Sequence, residues 1–303
     1  MQQPLSERKK IVFIVNPKSG IHKHTRFKEA VQKHIDSNKF TTLIRETEYA
    51  GHAIELSREA VLQKTDIVVA VGGDGTINEV ASQIIGSKTI LGIIPQGSGN
   101  GLARHLGIPR MIGGAMKLIN RLHVTEIDTA TINGVPFVSI AGVGFDALVA
   151  KYFAKSERRG FFSYAHLISS HFLYYKPKKY FIEFEDGTTV KTRALFISFA
   201  NSNQFGYNTA IAPNARLRDG MLDVIVVQKP GIFDLPLVAN LLLLRAIDKS
   251  KYVQSYRSGN FTVTRKKKRV VNIDGEARKM GKKLKVKVYP LSLKVIIPNH
   301  DIK

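Results

Sequence analysis

The chain has 303 residues, with 46 Lys plus Arg against 24 Asp plus Glu and a formal net charge of +22. Hydrophobic residues at 44% and charged residues at 23% are those of a folded globular protein, and no Ser, Gln or Pro tract argues for disorder. Cysteine is absent, which excludes disulfides, thiolate metal sites and a cysteine nucleophile and permits a reducing compartment.

In chain order, residues 11–15 (IVFIV) form the first predicted strand, too short a run for a signal-peptide core, and end in the loop NPKSG, residues 16–20. Phe27, Val31 and Ile35 then recur every four residues, marking one face of a helix. Residues 66–71 (DIVVAV) are a second strand ending in GGDGT, and residues 90–94 (ILGII) a third ending in PQGSGNG. Strands alternating with helices predict a parallel sheet covered on both faces. Ligands of such sheets bind beyond the carboxyl ends of the strands, so the three loops are expected to share one rim.

From about Asp128 the texture changes to β-branched and aromatic stretches separated by turns. Asn133-Gly134, Asp186-Gly187 and Asp274-Gly275 are hairpin signals, and helices are expected near residues 145–175 and 231–248. The predicted architecture is an α/β N-terminal domain, residues 1–127 with a C-terminal return at 294–303, plus a mostly antiparallel β-sandwich domain at 128–293. The longest apolar stretch, residues 235–244, falls short of the roughly 20 residues that a membrane-spanning helix needs.

The glycine loops carry the chemistry. Gly72, Gly73 and Gly75 let a ligand approach the main chain closely, and a helix expected to start at Thr76 adds its positive end, so the loop suits a phosphate. Gly97, Ser98, Gly99, Asn100 and Gly101 make a second such loop. Neither GxxxxGK[ST] nor GxGxxG after the first strand is present, which lowers P-loop NTPases and dinucleotide dehydrogenases in rank. Asp74 would repel a phosphate unless a divalent cation lies between them or it accepts a proton from an attacking hydroxyl, and both roles belong to phosphoryl transfer.

NPKSG (16–20), GGDGTINEV (72–80), PQGSGNGLARHLGIP (95–109), GVGFDA (142–147), RDGMLDV (218–224) and DGE (274–276), in this order, resemble the diacylglycerol kinase catalytic-domain superfamily, which includes bacterial lipid kinases and the sphingosine and ceramide kinases. The resemblance covers essentially the whole chain. It implies a first domain like that of NAD kinase and phosphofructokinase, a β-sandwich domain, and an active site in the cleft between them. It also implies ATP and Mg2+ as cofactors and transfer of the γ-phosphate to a lipid hydroxyl of a diacylglycerol-like lipid, phosphatidylglycerol or a sphingoid base.

By that resemblance Asn16, Thr47 and Glu79 reach the nucleotide. Gly72, Gly73, Gly75 and Thr76 surround its phosphates, with Gly97, Ser98, Gly99 and Asn100 completing the cradle. The base that takes the alkoxyl proton is Asp74 or Glu276. Asp219, with the backbone carbonyls of Arg216 and Met221, is expected to hold a magnesium ion, and Asp128 matches an aspartate linked to that region through water. Arg158 and Arg159 match a basic position near phosphate. Gly101 departs from the bacterial pattern, which has an aspartate there, and GSGNG is closer to the sphingosine and ceramide kinase form.

The excess of positive charge by itself suits a nucleic acid, a nucleotide or a membrane surface without choosing among them. With the resemblance, the partners expected are ATP, a membrane lipid and an anionic membrane met peripherally at its inner, cytoplasmic face, with no nucleic acid and a possible homodimer. Lys176, Lys178 and Lys179, residues 265–269, and Lys282, Lys283, Lys285 and Lys287 are candidate membrane contacts, although alternate lysines also describe the wet face of a strand. Phe161, Phe162, Tyr164, Phe172, Tyr174 and Tyr175 fill either a core or an acyl pocket. The competing readings are an NAD kinase, from GGDGT alone, and a non-enzymatic binder of nucleic acid or anionic membrane, from the charge alone.

Overall fold

The computed structural model describes residues 8–19, 24–155, 161–206 and 209–298, so Arg158 and Arg159 lie outside the described residues. Two compact units emerge. The first takes the chain up to Gly97, then Leu106–Glu126 and the segment from Ser292; the second takes Ser98–His105 and Ile127–Leu291.

The first unit contains β1 (Lys9–Val15), α1 (His24–His34), β2 (Phe40–Glu46), α2 (His52–Leu62), β3 (Ile67–Gly72), α3 (Asp74–Ile84) and β4 (Ile90–Pro95). After the short α4 (Gly101–His105) of the second unit comes α5 (Ile112–Arg121). Its strands run parallel in the order β2-β1-β3-β4, with Val295 of the last strand beside Leu91. Every residue of β3 is buried, as a central strand covered on both faces must be. Phe27, Val31 and Ile35 are buried, with the Phe27 ring edge-on to Phe13 at 5.7 Å, so the four-residue spacing marks a true core face. The edge strand β2 lacks the apolar run of the other three, and most of its residues are exposed or half-buried.

β5 (Val124–Ile132) leads into the second unit, which continues with β6 (Val135–Phe137), β7 (Ile140–Gly144), α6 (Phe145–Lys155), α7 (Phe161–Phe172), β8 (Lys178–Phe184), β9 (Thr189–Ala194) and β10 (Phe196–Ala200). Then follow β11 (Gln204–Gly206), β12 (Thr209–Ala210), β13 (Leu222–Val227), α8 (Leu235–Leu243), β14 (Val253–Ser258), β15 (Asn260–Arg265), β16 (Arg269–Ile273), β17 (Glu276–Met280) and β18 (Lys283–Ile296). One sheet has the antiparallel order β14-β13-β10-β7-β16-β17; a second pairs the start of β18 with β15, then β8 and β9, also antiparallel. Val143, Phe199 and Val224 of the first and Ile182, Val263 and Leu284 of the second share one buried cluster. That is the core of a β-sandwich.

The hairpin turns form where Asn-Gly and Asp-Gly stand. Asn133 and Gly134 have φ of 51° and 82° between paired Ile132 and Val135; Asp274 and Gly275 have 46° and 90° between paired Ile273 and Glu276. Positive φ at both central residues is the two-residue turn that matches strand twist.

Candidate active site

In the first unit the parallel register delivers several of the expected residues to one rim. Asn16 continues β1 by donating its N–H to Val71 O at 2.9 Å; Thr47 continues β2 by donating to Val15 O at 2.9 Å; Gln96 N–H meets Gly72 O at 2.8 Å. A Cβ on Gly72 would lie 2.5 Å from Thr76 Oγ1, so only glycine lets the Thr76 side chain fold beneath the turn. There Thr76 Oγ1 accepts the Asn16 Nδ2–H at 3.2 Å. At Gly73 an added Cβ would stand 3.2 Å from Gly97 Cα, so the two glycine loops meet main chain to main chain.

Helix α3 starts at Asp74, two residues earlier than expected, and its first hydrogen bond runs from Ile77 N–H to Gly73 O at 3.0 Å. The first turn of α3, with Gly75 and Thr76 in it, is the positive end of the helix. Asp74 shares that turn. Glu79 lies further along α3, where its Oε1 accepts the N–H of Gly51, the N-terminal cap of α2, at 3.1 Å. Asn16 Oδ1 also accepts Lys18 N–H at 3.0 Å, so the side chain closes a local turn while its amide group reaches Thr76.

Ser98, Gly99 and Asn100 belong to the second unit with α4. Ser98 is exposed, Asn100 is buried with φ 56°, and Gly99 O accepts Arg104 Nε–H at 2.9 Å. Gly101 has no room for a side chain: a Cβ would meet Gln204 O at 2.7 Å and Ser139 Oγ at 3.3 Å. His105 Nδ1 accepts Asn203 N–H at 2.9 Å, tying α4 to the same segment. The aspartate of the bacterial pattern is thus excluded here by packing.

The DGE turn of the second unit is built as a scaffold. Asp274 is buried, and its carboxylate accepts the N–H groups of Val138, Ser139 and Ile140 at 2.8, 2.9 and 2.8 Å. Asn272 Oδ1 accepts Gly275 N–H at 2.9 Å and its Nδ2–H donates to Asp146 Oδ2 at 2.8 Å, linking GVGFDA to the turn. Burial pushes the Asp146 carboxyl up to about 6, with the Asn272 hydrogen bond pulling it down. Glu276, the next residue after the turn, is half-buried, and its Oε2 accepts Arg278 Nη2–H at 3.1 Å. Neither Asp146 nor Asn272 was singled out in the sequence as a support for Glu276. Their pairing depends on β16 lying beside α6, which no local pattern reports.

RDGMLDV is the expected metal segment. Asp219 Oδ2 accepts a hydrogen bond from Arg257 Nη2, and its Oδ1 accepts Met221 N–H at 3.1 Å. Arg257 Nε lies 3.5 Å from Asp223 Oδ1 across paired strands β13 and β14. Burial pushes the Asp223 carboxyl up to about 6 against the pull of Arg257. A magnesium ion held by Asp219 with the Arg216 and Met221 carbonyls would share that carboxylate with Arg257. Among the described residues no group of three or more His, Asp and Glu is arranged to hold a metal. Positive charge at this segment is supplied by Arg257. Asp128, fully buried, reaches the segment directly, accepting Gly220 N–H at 2.7 Å and Leu291 N–H at 2.8 Å.

Other basic and aromatic candidates divide. Arg265 is buried and donates to the carbonyls of Gly281, Val270, Arg269 and Met280, so it staples two strands instead of facing an anion. Lys283, Lys285 and Lys287 alternate exposed with buried Leu284, Val286 and Val288, the wet face of a strand. Phe172 and Tyr175 pack their rings around Phe145 at 6.0 and 5.2 Å, whereas Tyr174 is exposed. The side chains of Phe161, Phe162 and Tyr164 lie outside the described residues.

Comparison with known proteins agrees with this arrangement. Residues 10–132 match the family described as the diacylglycerol kinase catalytic domain, and residues 139–297 the YegS C-terminal NAD kinase beta sandwich-like domain. The chain is 29% identical over 278 residues to the diacylglycerol kinase of Bacillus subtilis (strain 168), covering 88% of this chain and 90% of that one. It is 28% identical over 302 residues to that of Staphylococcus saprophyticus, covering 98% and 97%. A crystal structure described as a diacylglycerol kinase from Bacillus anthracis str. Sterne superposes with a TM-score of 0.75 at 22% identity, over 97% of this chain and 98% of that chain, a likeness of fold. With both halves matched in order and almost end to end, the chain belongs to the diacylglycerol kinase catalytic-domain family.

Proposed function

We propose that the protein is an ATP-dependent lipid kinase that transfers the γ-phosphate to a lipid hydroxyl and works peripherally at an anionic membrane. The observation that carries the reading is the contact of the two glycine loops, Gly73 against Gly97, at the positive end of α3. Bare main chain beside a helix N-terminus is a cradle for phosphate. In this reading Asn16, Thr47 and Glu79 orient the nucleotide, Gly72, Gly73, Gly75 and Thr76 hold its phosphates, and Gly97, Ser98, Gly99 and Asn100 close around them. Magnesium enters with ATP as part of the substrate, where it offsets phosphate charge.

The lipid hydroxyl oxygen forms a bond to the γ-phosphorus as the bond to the β,γ-bridging oxygen breaks. ADP leaves with that electron pair, and the hydroxyl proton passes to a carboxylate. Asp74 and Glu276 are the two candidates. Asp74 sits in the first turn of the phosphate helix, and Glu276 follows a turn held rigid by Asp274 and Asn272.

Incubation of the purified protein with labelled ATP and extracted membrane lipids tests the reading. Label is expected in a lipid product, and Asp74→Asn is expected to lower transfer by about 10²- to 10⁴-fold while the thermal midpoint is retained. Label in NAD without any lipid product would establish the NAD kinase alternative. No label in either sinks both.

A further inference from the structure

α8 is apolar on every side yet not enclosed. Its sequence, LPLVANLLL, has Asn240 as the one polar residue, and none of its residues is buried. Val238, Leu241 and Leu242, at helical spacing, pack on a core cluster containing Ile211, Ile225 and Ile247, which anchors one face. The other side is left to solvent. Phe233 is 96% exposed and Leu244 68%, with Ile232, Leu237 and Leu243 also exposed. A helix hydrophobic all round belongs in a core or a bilayer, and an apolar patch of this kind marks a contact surface.

A second segment joins the same surface. Lys229, three residues before Ile232, donates from Nζ to the carbonyls of Leu173 and Tyr175 at 3.0 and 2.9 Å. Leu235 packs against the cluster that contains Phe172 and Tyr175. The turn after α7 is thereby fixed beside the start of α8, and its outer residues are Leu173 and Tyr174, the latter 84% exposed.

Charge decides what this face meets. Lys229, Arg245, Lys249 and Lys251 flank it, against Asp234 and Asp248. Asp234 accepts the Tyr252 hydroxyl at 2.6 Å and pairs with Lys251 Nζ at 3.5 Å, and the four cations still exceed the two carboxylates. A basic rim around exposed aromatic and leucine side chains is complementary to an anionic interface whose acyl region lies just below its headgroups. A second copy of the chain would bring the same cations against each other, in a protein of formal net charge +22.

We infer that the face formed by Leu173, Tyr174, Ile232, Phe233, Leu237 and Leu244 inserts into the surface of an anionic lipid bilayer, with Phe233 as the deepest side chain. The inference rests on the lipid-kinase reading only for the purpose that docking serves; the contact itself is tested without nucleotide.

The chain has no tryptophan, so Phe233→Trp places a single reporter at the centre of the patch. With vesicles of phosphatidylglycerol and phosphatidylcholine in equal parts, its emission is expected to shift to the blue, and with phosphatidylcholine alone to stay unchanged. The double variant Phe233→Ser/Leu237→Ser is expected to co-float with the mixed vesicles about tenfold less than the unaltered chain, at an unchanged thermal midpoint. Flotation without a shift of the reporter, equal flotation of the double variant, or no flotation of the unaltered chain overturns the inference. So does a blue shift that rises with protein concentration in the absence of vesicles, which would mark a second copy as the occupant. Phosphorylation of a short-chain diacylglycerol dissolved as monomers separates the two readings: the double variant keeps it if only docking is lost, and its absence in every variant counts against the kinase alone.

Discussion

Arg257 holds Asp219 through its Nη2 and stands 3.5 Å from Asp223 through its Nε, so one guanidinium serves two carboxylates, one on the neighbouring strand β13 and one just before it. Arg257 thus supplies positive charge to both carboxylates from within the chain. The fold without nucleotide is therefore expected to keep its thermal midpoint in EDTA, as read by scanning calorimetry. Arg257→Gln removes the cation from a half-exposed site and is expected to cost on the order of 1 kcal/mol, with magnesium then restoring part of the lost midpoint. A midpoint of the unaltered chain that falls in EDTA would show that a metal is resident after all.

Gly101 illustrates how a motif position is chosen by its neighbours. Gly101→Asp would restore the carboxylate of the bacterial pattern, but its Cβ would stand 2.7 Å from the main-chain oxygen of Gln204. Backbone cannot swing aside as a side-chain tip can. The substitution is expected to destabilise by about 1–3 kcal/mol in urea titration and to leave kinase activity no higher. An unchanged urea midpoint would mean that the β10–β11 segment yields without cost.

Asp146 links stability to pH. Its folded-state pKa, about 6, is raised above the ordinary 3.8, so the folded state favours the protonated carboxyl. The stabilisation is complete below about pH 4 and is lost as pH rises toward 6, by up to about 3 kcal/mol. Asp146→Asn has no charge to bury and an amide that can still accept from Asn272. It is expected to be more stable than the unaltered chain at pH 7, with the difference shrinking to nothing near pH 4. Chemical denaturation at the two values measures this directly, and a variant less stable at both contradicts it.

Legibility followed from how local each cause was. The parallel strands could be read because central strands are apolar along their whole length, as β3 is. The hairpins could be read because Asn-Gly and Asp-Gly tolerate positive φ at the residues where it is found. Edge strand β2 is fainter, since its side chains are mostly at the surface and leave no hydrophobic period. Basic residues were the least legible. A count of charges treats Arg265 and Lys285 alike, yet one is buried on four carbonyls and the other faces solvent.

The sequence by itself determined the α/β and β-sandwich classes, the glycine turns and the family, because each is written in short-range periodicity or in contiguous motifs. Tertiary structure alone decided that Arg257 meets Asp219 and Asp223, that Gly101 excludes any side chain, and that α8 keeps an apolar face in solvent. These are contacts between segments distant in the chain, set by strand register and packing, and no local pattern of residues encodes a partner it does not adjoin.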